Sequence, residues 1–254
     1  MTREGPVATL TLNRPDRRNA LDPDLLGALA VAIDDMAGDD DVRVVVLTGA
    51  GSAFSAGADL EWMSASVELS DERNREDTAA MAASFEAVDR CPKAVVARVN
   101  GAAIGGGAGL VACADVAVAV EGARFAFAEV RLGLLPAVIS PYVLRAIGPG
   151  RARELFTSGR PFDADGAAAY GLVHRVVAAE ALDAAVADVI DALCSGGPEA
   201  VAANKRLVRD ATASLTLPDL PDRIAEARAS AEGQEGIAAF LEKRPPRWSR
   251  SVDS

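Results

Sequence analysis

The chain has 254 residues, half of them hydrophobic but only 4% aromatic, and a net charge of −11 at pH 7. That length suits one large core with an appendage rather than two equal domains, and the shortage of aromatic residues leaves alanine to supply much of the apolar content. The acidic balance excludes a basic nucleic-acid-binding face.

"VATLTL" (7–12) predicts a strand, and the polar turn "NRPDRRNALDP" follows it. Asp22 reads as an N-cap with Pro23 at the first helical position, and Leu25, Leu29, Ile33 and Met36 recur at helical spacing up to a stop at Gly38. "VRVVVLTG" (42–49) has the β-branched composition of a strand covered on both faces. A loop of small residues, "AGSAFSAGADL" (50–60), comes next. Ser70 is placed to cap a helix that Pro92 ends, and "AVVARV" (94–99) is a second buried strand.

The glycine-rich run "NGAAIGGGAGL" (100–110) reads as a second loop. "VAVAV" (116–120) and "RFAFAE" (124–129) read as short strands around a turn at Gly122. From Ser140-Pro141, read as a cap and first-turn pair, the chain turns mainly helical. "PFDADGAAAYG" is a capped helix ending at Gly171, "LVHRVV" a brief strand and 179–194 an amphipathic helix. Ser195–Pro198 is the best internal boundary, dividing a core of 1–195 from a helical region of 196–254 with a polar tail. Strands alternating with helices give an α/β fold.

Cys91, Cys113 and Cys194 are scattered and odd in number, which indicates a reducing compartment and no disulfide framework, and the absence of a Cys-x-x-Cys pair argues against a metal site. No apolar stretch reaches the roughly 20 residues that cross a bilayer, and the first residues carry no signal-peptide pattern. The expectation is a soluble, cytoplasmic protein.

The glycines are out of register for a dinucleotide fingerprint, and no Gly-Lys-Ser/Thr exists for a P-loop. His174, the one histidine, lies in an apolar strand with no serine or cysteine motif to serve, so it reads as structural. Two glycine-rich loops remain, "SAGADL" and "IGGGAGL", each after a buried strand. They are either tight turns where helix meets sheet, or turns that aim bare backbone N–H groups into a cavity, as an oxyanion hole requires.

"LNRPDRRNAL", "VVVLTGAGSAFSAGADL", "KAVVARVNGAAIGGGAGLVACADVAVA", "ARFAFAEVRLGLLP", "TSGRPFDADGAAAYGLVHRVV" and "FLEKRPPRW" follow one another in an order that resembles the enoyl-CoA hydratase/isomerase (crotonase) superfamily over essentially the whole chain. The resemblance implies a spiral of ββα turns with a helical C-terminal trimerisation region, assembled as a homotrimer or a dimer of trimers. It implies an acyl-CoA thioester substrate, no cofactor beyond the coenzyme A of the substrate itself, and an enolate oxygen held by the amides of Ala58 and Gly106. It places substrate contacts at Arg18, Ala20, Ala56, Asp59 and Leu60, and one from Lys243 to a neighbouring subunit.

Typical relatives that hydrate a 2,3-double bond carry two glutamates. The resemblance maps the second onto Glu129 as the catalytic proton carrier and the first onto Gly109. One carboxylate suits hydration, Δ3-to-Δ2 isomerisation or decarboxylation, and a non-catalytic CoA-ester-binding relative is a fourth alternative. "EVRLGLLPAVISPYVLRAIG" resembles the branch that hydrates methylglutaconyl-CoA-like esters, as in leucine breakdown, where glycine also stands in the first position. The first expectation is therefore a hydratase of a short, branched or dicarboxylic enoyl-CoA, with a substrate carboxylate helping to order water in the space that Gly109 leaves.

Overall fold

A computed structural model describes residues 1–66, 68–213 and 220–249; the helical run expected across 214–219 and the tail from 250 onward lie outside the described residues. Two sheets organise the chain. The larger has six strands in the order β1 (Thr2–Glu4), β2 (Val7–Leu12), β3 (Val44–Gly49), β5 (Ala94–Val99), β7 (Val116–Val120) and β10 (Arg175–Val177). Only the β1–β2 pair is antiparallel. A parallel sheet is covered on both faces, which is why every residue of β3 is buried.

The smaller sheet runs β4 (Ala53–Ser55), β6 (Ala102–Ile104), β8 (Arg124–Ala126) and β9 (Phe162–Asp163), with the first three parallel. Strands β3, β5 and β7 each lead within a few residues into β4, β6 and β8, and a helix or helical turn follows each of those. This is the expected spiral of ββα turns.

Helix α1 (Pro23–Gly38) starts as read: Asp22 accepts a hydrogen bond from Leu25 N, and Leu26, Leu29, Ile33 and Met36 are buried. After α2 (Leu60–Ser66), α3 (Asp71–Arg90) is capped by Ser70. The run 100–110 is not one loop. Residues 102–104 form β6, and Gly106–Cys113 form α4, whose residues from Gly107 onward are all buried. Its glycines let the helix approach its neighbours closely: a Cβ on Gly107 would lie 2.7 Å from the Ser55 carbonyl oxygen. Strand β8 ends at Ala126, so Glu129 opens a short 3-10 turn, Glu129–Leu132, rather than closing a strand.

Helix α5 (Ser140–Ser158) begins at Ser140, not after it. Ser140 donates its hydroxyl back to Ala137 O and leaves Ile139 as the N-cap. Helix α6 (Ala164–Tyr170) is capped by Asp163 and stopped by left-handed Gly171, and α7 (Leu182–Ser195) packs on β5 and β7. Beyond Gly196, α8 (Pro198–Ala213), α9 (Leu220–Ala229) and α10 (Ala231–Glu242) form the helical region. Lys205 ties α8 to the core through Asp115 at 2.6 Å. Among the described residues no helix is long and apolar enough to cross a membrane.

Candidate active site

The loop between β3 and α2 is built on two asparagines. Asn19, fully buried, donates to the Ala50 and Ala53 carbonyls at 2.9 and 2.8 Å and accepts from Arg14 N. Asn100 accepts from Gly49 N at 3.1 Å and donates to Gly51 O at 2.9 Å. Beyond the pinned segment, Leu21 N donates to Gly57 O and Asp59 N donates to Leu21 O, which makes a parallel bridge between Leu21 and Ala58. In such a pairing the bonds are made by the residues flanking the bridge partner, so the N–H of Ala58 faces the other way. Ala58 is exposed, and its N–H has no acceptor among the described residues.

The second turn is one residue long. Gly105, at φ +51°, joins β6 to α4 and donates its N–H to Ala126 O. Gly106 then opens the helix, where a first-turn N–H has no intrahelical acceptor and lies at the positive end of the helix dipole. Close contacts join the two turns. A Cβ on Gly57 would lie 2.8 Å from Ile104 O, and one on Gly106 would lie 2.9 Å from Leu21 Cδ1. Leu21 thus pairs with Ala58 and packs on Gly106, which ties the two turns together.

Glu129 lies beside the second of these turns. Its Oε1 lies 3.1 Å from the position of a Cβ on Gly105, and its Oε2 is buried with no hydrogen-bond partner among the described residues. Desolvation raises its pKa above the ordinary 4.5 against a smaller lowering by its own backbone N–H. Ala58, Gly106 and Glu129 each follow a strand of the smaller sheet, β4, β6 and β8, by two or three residues. The three candidate groups therefore sit at equivalent places in three successive turns of the spiral.

A sequence model of the family described as "Enoyl-CoA hydratase/isomerase" matches residues 2–251. The chain belongs to the enoyl-CoA hydratase/isomerase family. An enoyl-CoA hydratase from Shewanella pealeana is a similar solved structure, with TM-score 0.93 and 39% identity over 97% of this chain and 94% of that one. The Pseudomonas aeruginosa protein AtuE matches with TM-score 0.93 and 38% identity over 98% of both chains. A crotonyl-CoA hydratase from Syntrophomonas wolfei is 34% identical over 251 residues, 96% of this chain and 95% of its own.

The other residues expected at the site of this hydratase/isomerase family member divide into two groups. Arg18 is exposed, held at φ +50° in the turn before the first loop, and its guanidinium has no partner among the described residues. Leu60 is 76% exposed at the start of α2. Half-buried Ala56 gives its N–H to Arg18 O. These three border the Ala58 turn.

Asp59, Ala20 and Gly109 are buried. The Asp59 carboxylate is buried, pairs with Arg14 at 2.9 Å and accepts from Glu61 N, so it braces the loop. Desolvation alone would raise its pKa, but the N–H groups of Glu61 and Trp62 and the Arg14 guanidinium outweigh it and hold it below the usual value. Ala20 is buried, and its N–H and carbonyl are engaged by Arg17 O and Arg14.

Gly109 is buried and leaves no space for water. Ile139 Cγ2 overlaps the position of a Cβ on Gly109, with Ile139 Cβ at 2.8 Å and Phe85 Cε1 at 3.2 Å.

Lys243, at φ +55°, caps α10 and is exposed. The chain after it folds back through Trp248 to Ser195 O and Arg43, just before the start of β3. The site lies past the other end of that strand, so the single chain does not bring Lys243 to it. His174 Nδ1 accepts from Ala117 N at 3.0 Å, a sheet-edge role.

Sequence reasoning passed over Asn19, Asn100 and Arg14 as working residues. The available signal was an asparagine in the polar turn before α1 and another just before the second glycine-rich run, since backbone groups of irregular segments need side-chain partners.

Proposed function

We propose that the chain is an enoyl-CoA hydratase, in which the N–H groups of Ala58 and Gly106 hold the thioester oxygen and Glu129 carries the proton in both directions. Ionised Glu129 takes a proton from water, the oxygen of that water bonds to C3, and the π electrons pass to the thioester oxygen as an enolate. Protonated Glu129 then returns its proton to C2 as the enolate collapses, so water is added across the bond and the carboxylate is regenerated. Each N–H aimed at the developing charge contributes about 3–4 kcal/mol to lowering the barrier.

The observation that carries this reading is Glu129, a half-buried carboxylate with an unpartnered oxygen beside the Gly105–Gly106 turn. Its raised pKa suits a group that must both accept and return a proton. The hydratase names of relatives at 34–39% identity support the same reaction. Coenzyme A enters as part of the substrate, with Arg18 placed for a phosphate. "PAVISPYV" favours a short, branched or dicarboxylic acyl group. The exposed Ile237, Phe240 and Leu241 of α10 favour packing against further copies of the chain in a trimer.

A second reading, Δ3-to-Δ2 isomerisation, is favoured by the closed position at Gly109, because one base suffices to move a proton between two carbons. The test is a panel of straight-chain, branched and dicarboxylic enoyl-CoA esters in D2O. Net formation of a 3-hydroxyacyl-CoA supports the hydratase. Deuterium uptake with a shifted double bond and no hydration overturns it in favour of the isomerase.

A further inference from the structure

We infer that Ile139 keeps this site to a single carboxylate: its side chain fills the volume that any side chain on residue 109 would need, so the two positions can change only together. The mechanistic part of this inference rests on the hydratase reading; the packing part does not.

Gly109 lies one helical turn beyond Gly105, to whose carbonyl it donates its N–H at 3.0 Å, and three residues beyond Gly106. Residues three and four apart share a helix face. A side chain at 109 would therefore leave α4 on the same face as one at Gly106, and both directions meet the Phe85 ring. The direction from 109 is closed by the overlapping Ile139 Cγ2, by Ile139 Cβ at 2.8 Å and by the Phe85 ring at 3.2 Å.

Ile139 is not free to move aside. It is 4% exposed, and as the N-cap of α5 it accepts Val143 N while Ser140 holds Ala137 O through both its N–H and its hydroxyl. Its β-branched side chain has few rotamers to choose from. Glycine at 109 is thus the complement of isoleucine at 139, and the second position open to a carboxylate in the family is here part of the apolar core.

The test is a double-mutant cycle of Gly109→Glu and Ile139→Gly, read by thermal unfolding and by the pH profile of crotonyl-CoA hydration. Overpacking makes Gly109→Glu alone melt roughly 5 °C lower. Ile139→Gly alone also melts lower because it leaves a cavity. The double variant exchanges side chains of similar volume and is expected to regain at least half of the summed loss. Its kcat/KM profile is expected to gain a second ionisation that the wild type and Ile139→Gly lack.

Additive melting shifts would overturn the shared-volume claim. Coupled shifts with only one ionisation would overturn the claim that residue 109 faces the reacting carbons. If Gly109→Glu does not fold, Gly109→Ala with and without Ile139→Leu tests the same overlap, since leucine lacks the Cγ2 branch. Coupled melting in a protein whose wild type hydrates no ester would sink the hydratase proposal and leave the packing inference standing.

Discussion

Glu129 and Gly105 face each other closely enough that the carboxylate would touch any Cβ placed on the glycine, at 3.1 Å from Oε1. The carboxylate therefore stands beside the turn that opens α4, in a place where desolvation lifts its pKa. Glu129→Gln is expected to lower kcat by about 10²–10⁴-fold.

The wild-type kcat/KM needs the ionised form, so it should fall on acidification with a midpoint above 4.5. Stability runs the opposite way. A carboxyl whose folded pKa is raised favours the folded state below its unfolded pKa and loses that contribution as pH rises through the folded value. Unfolding titrations should therefore show Glu129→Gln gaining on the wild type as pH rises through that window.

Removing one backbone donor tests the pair of N–H groups. Ala58 spends no N–H on its bridge with Leu21, so Ala58→Pro deletes the donor without breaking a ladder bond. A fall in kcat of about 10²–10³-fold is expected, with near-normal affinity for coenzyme A by calorimetry. Unchanged turnover would remove Ala58 from the site.

Two neighbouring arginines should behave differently. Arg17 is already paired with Glu61 at 2.6 Å, whereas the guanidinium of Arg18 has no partner among the described residues. Arg18→Ala should raise KM for an acyl-CoA roughly tenfold with kcat kept, as expected for a lost charge-assisted bond to phosphate. Arg17→Ala should change KM little. Steady-state kinetics at two salt concentrations separates the cases.

Arg14 joins Asp22 and Asp59 at 3.0 and 2.9 Å and also donates to Ala20 O. Arg14→Met strands the Asp59 carboxylate without its cation and should lower stability in urea unfolding. Adding Asp59→Asn should recover part of that loss. No recovery would mean that the destabilisation comes from elsewhere.

The periodic parts of the fold were legible in the sequence. Asp22-Pro23 and Ser70 mark helix starts, and the β-branched run before Gly49 marks a buried strand, because those signals are local. The spiral itself came from resemblance. What local reading misplaced was the run 100–110, where glycines that look like a loop belong to a strand, one turn residue and a helix. Their reason is contact with Ser55, Leu21 and Ile139, far away in the chain. Glu129 was legible as a carboxylate at the end of an apolar run. The sealing of position 109 was not, because it depends on a side chain thirty residues further on.

Ala58 and Gly106 stand just beyond β4 and β6, two parallel neighbours in one sheet. Backbones so paired run about 4.8 Å apart, and two donors at that separation can both reach an atom about 2.9 Å away along directions roughly 110° from one another. In the proposed mechanism, the grip on a carbonyl oxygen is then sized by the pitch of the sheet and not by any side chain. A catalytic centre of this kind can exchange its surrounding residues for other chemistries and keep its calibre.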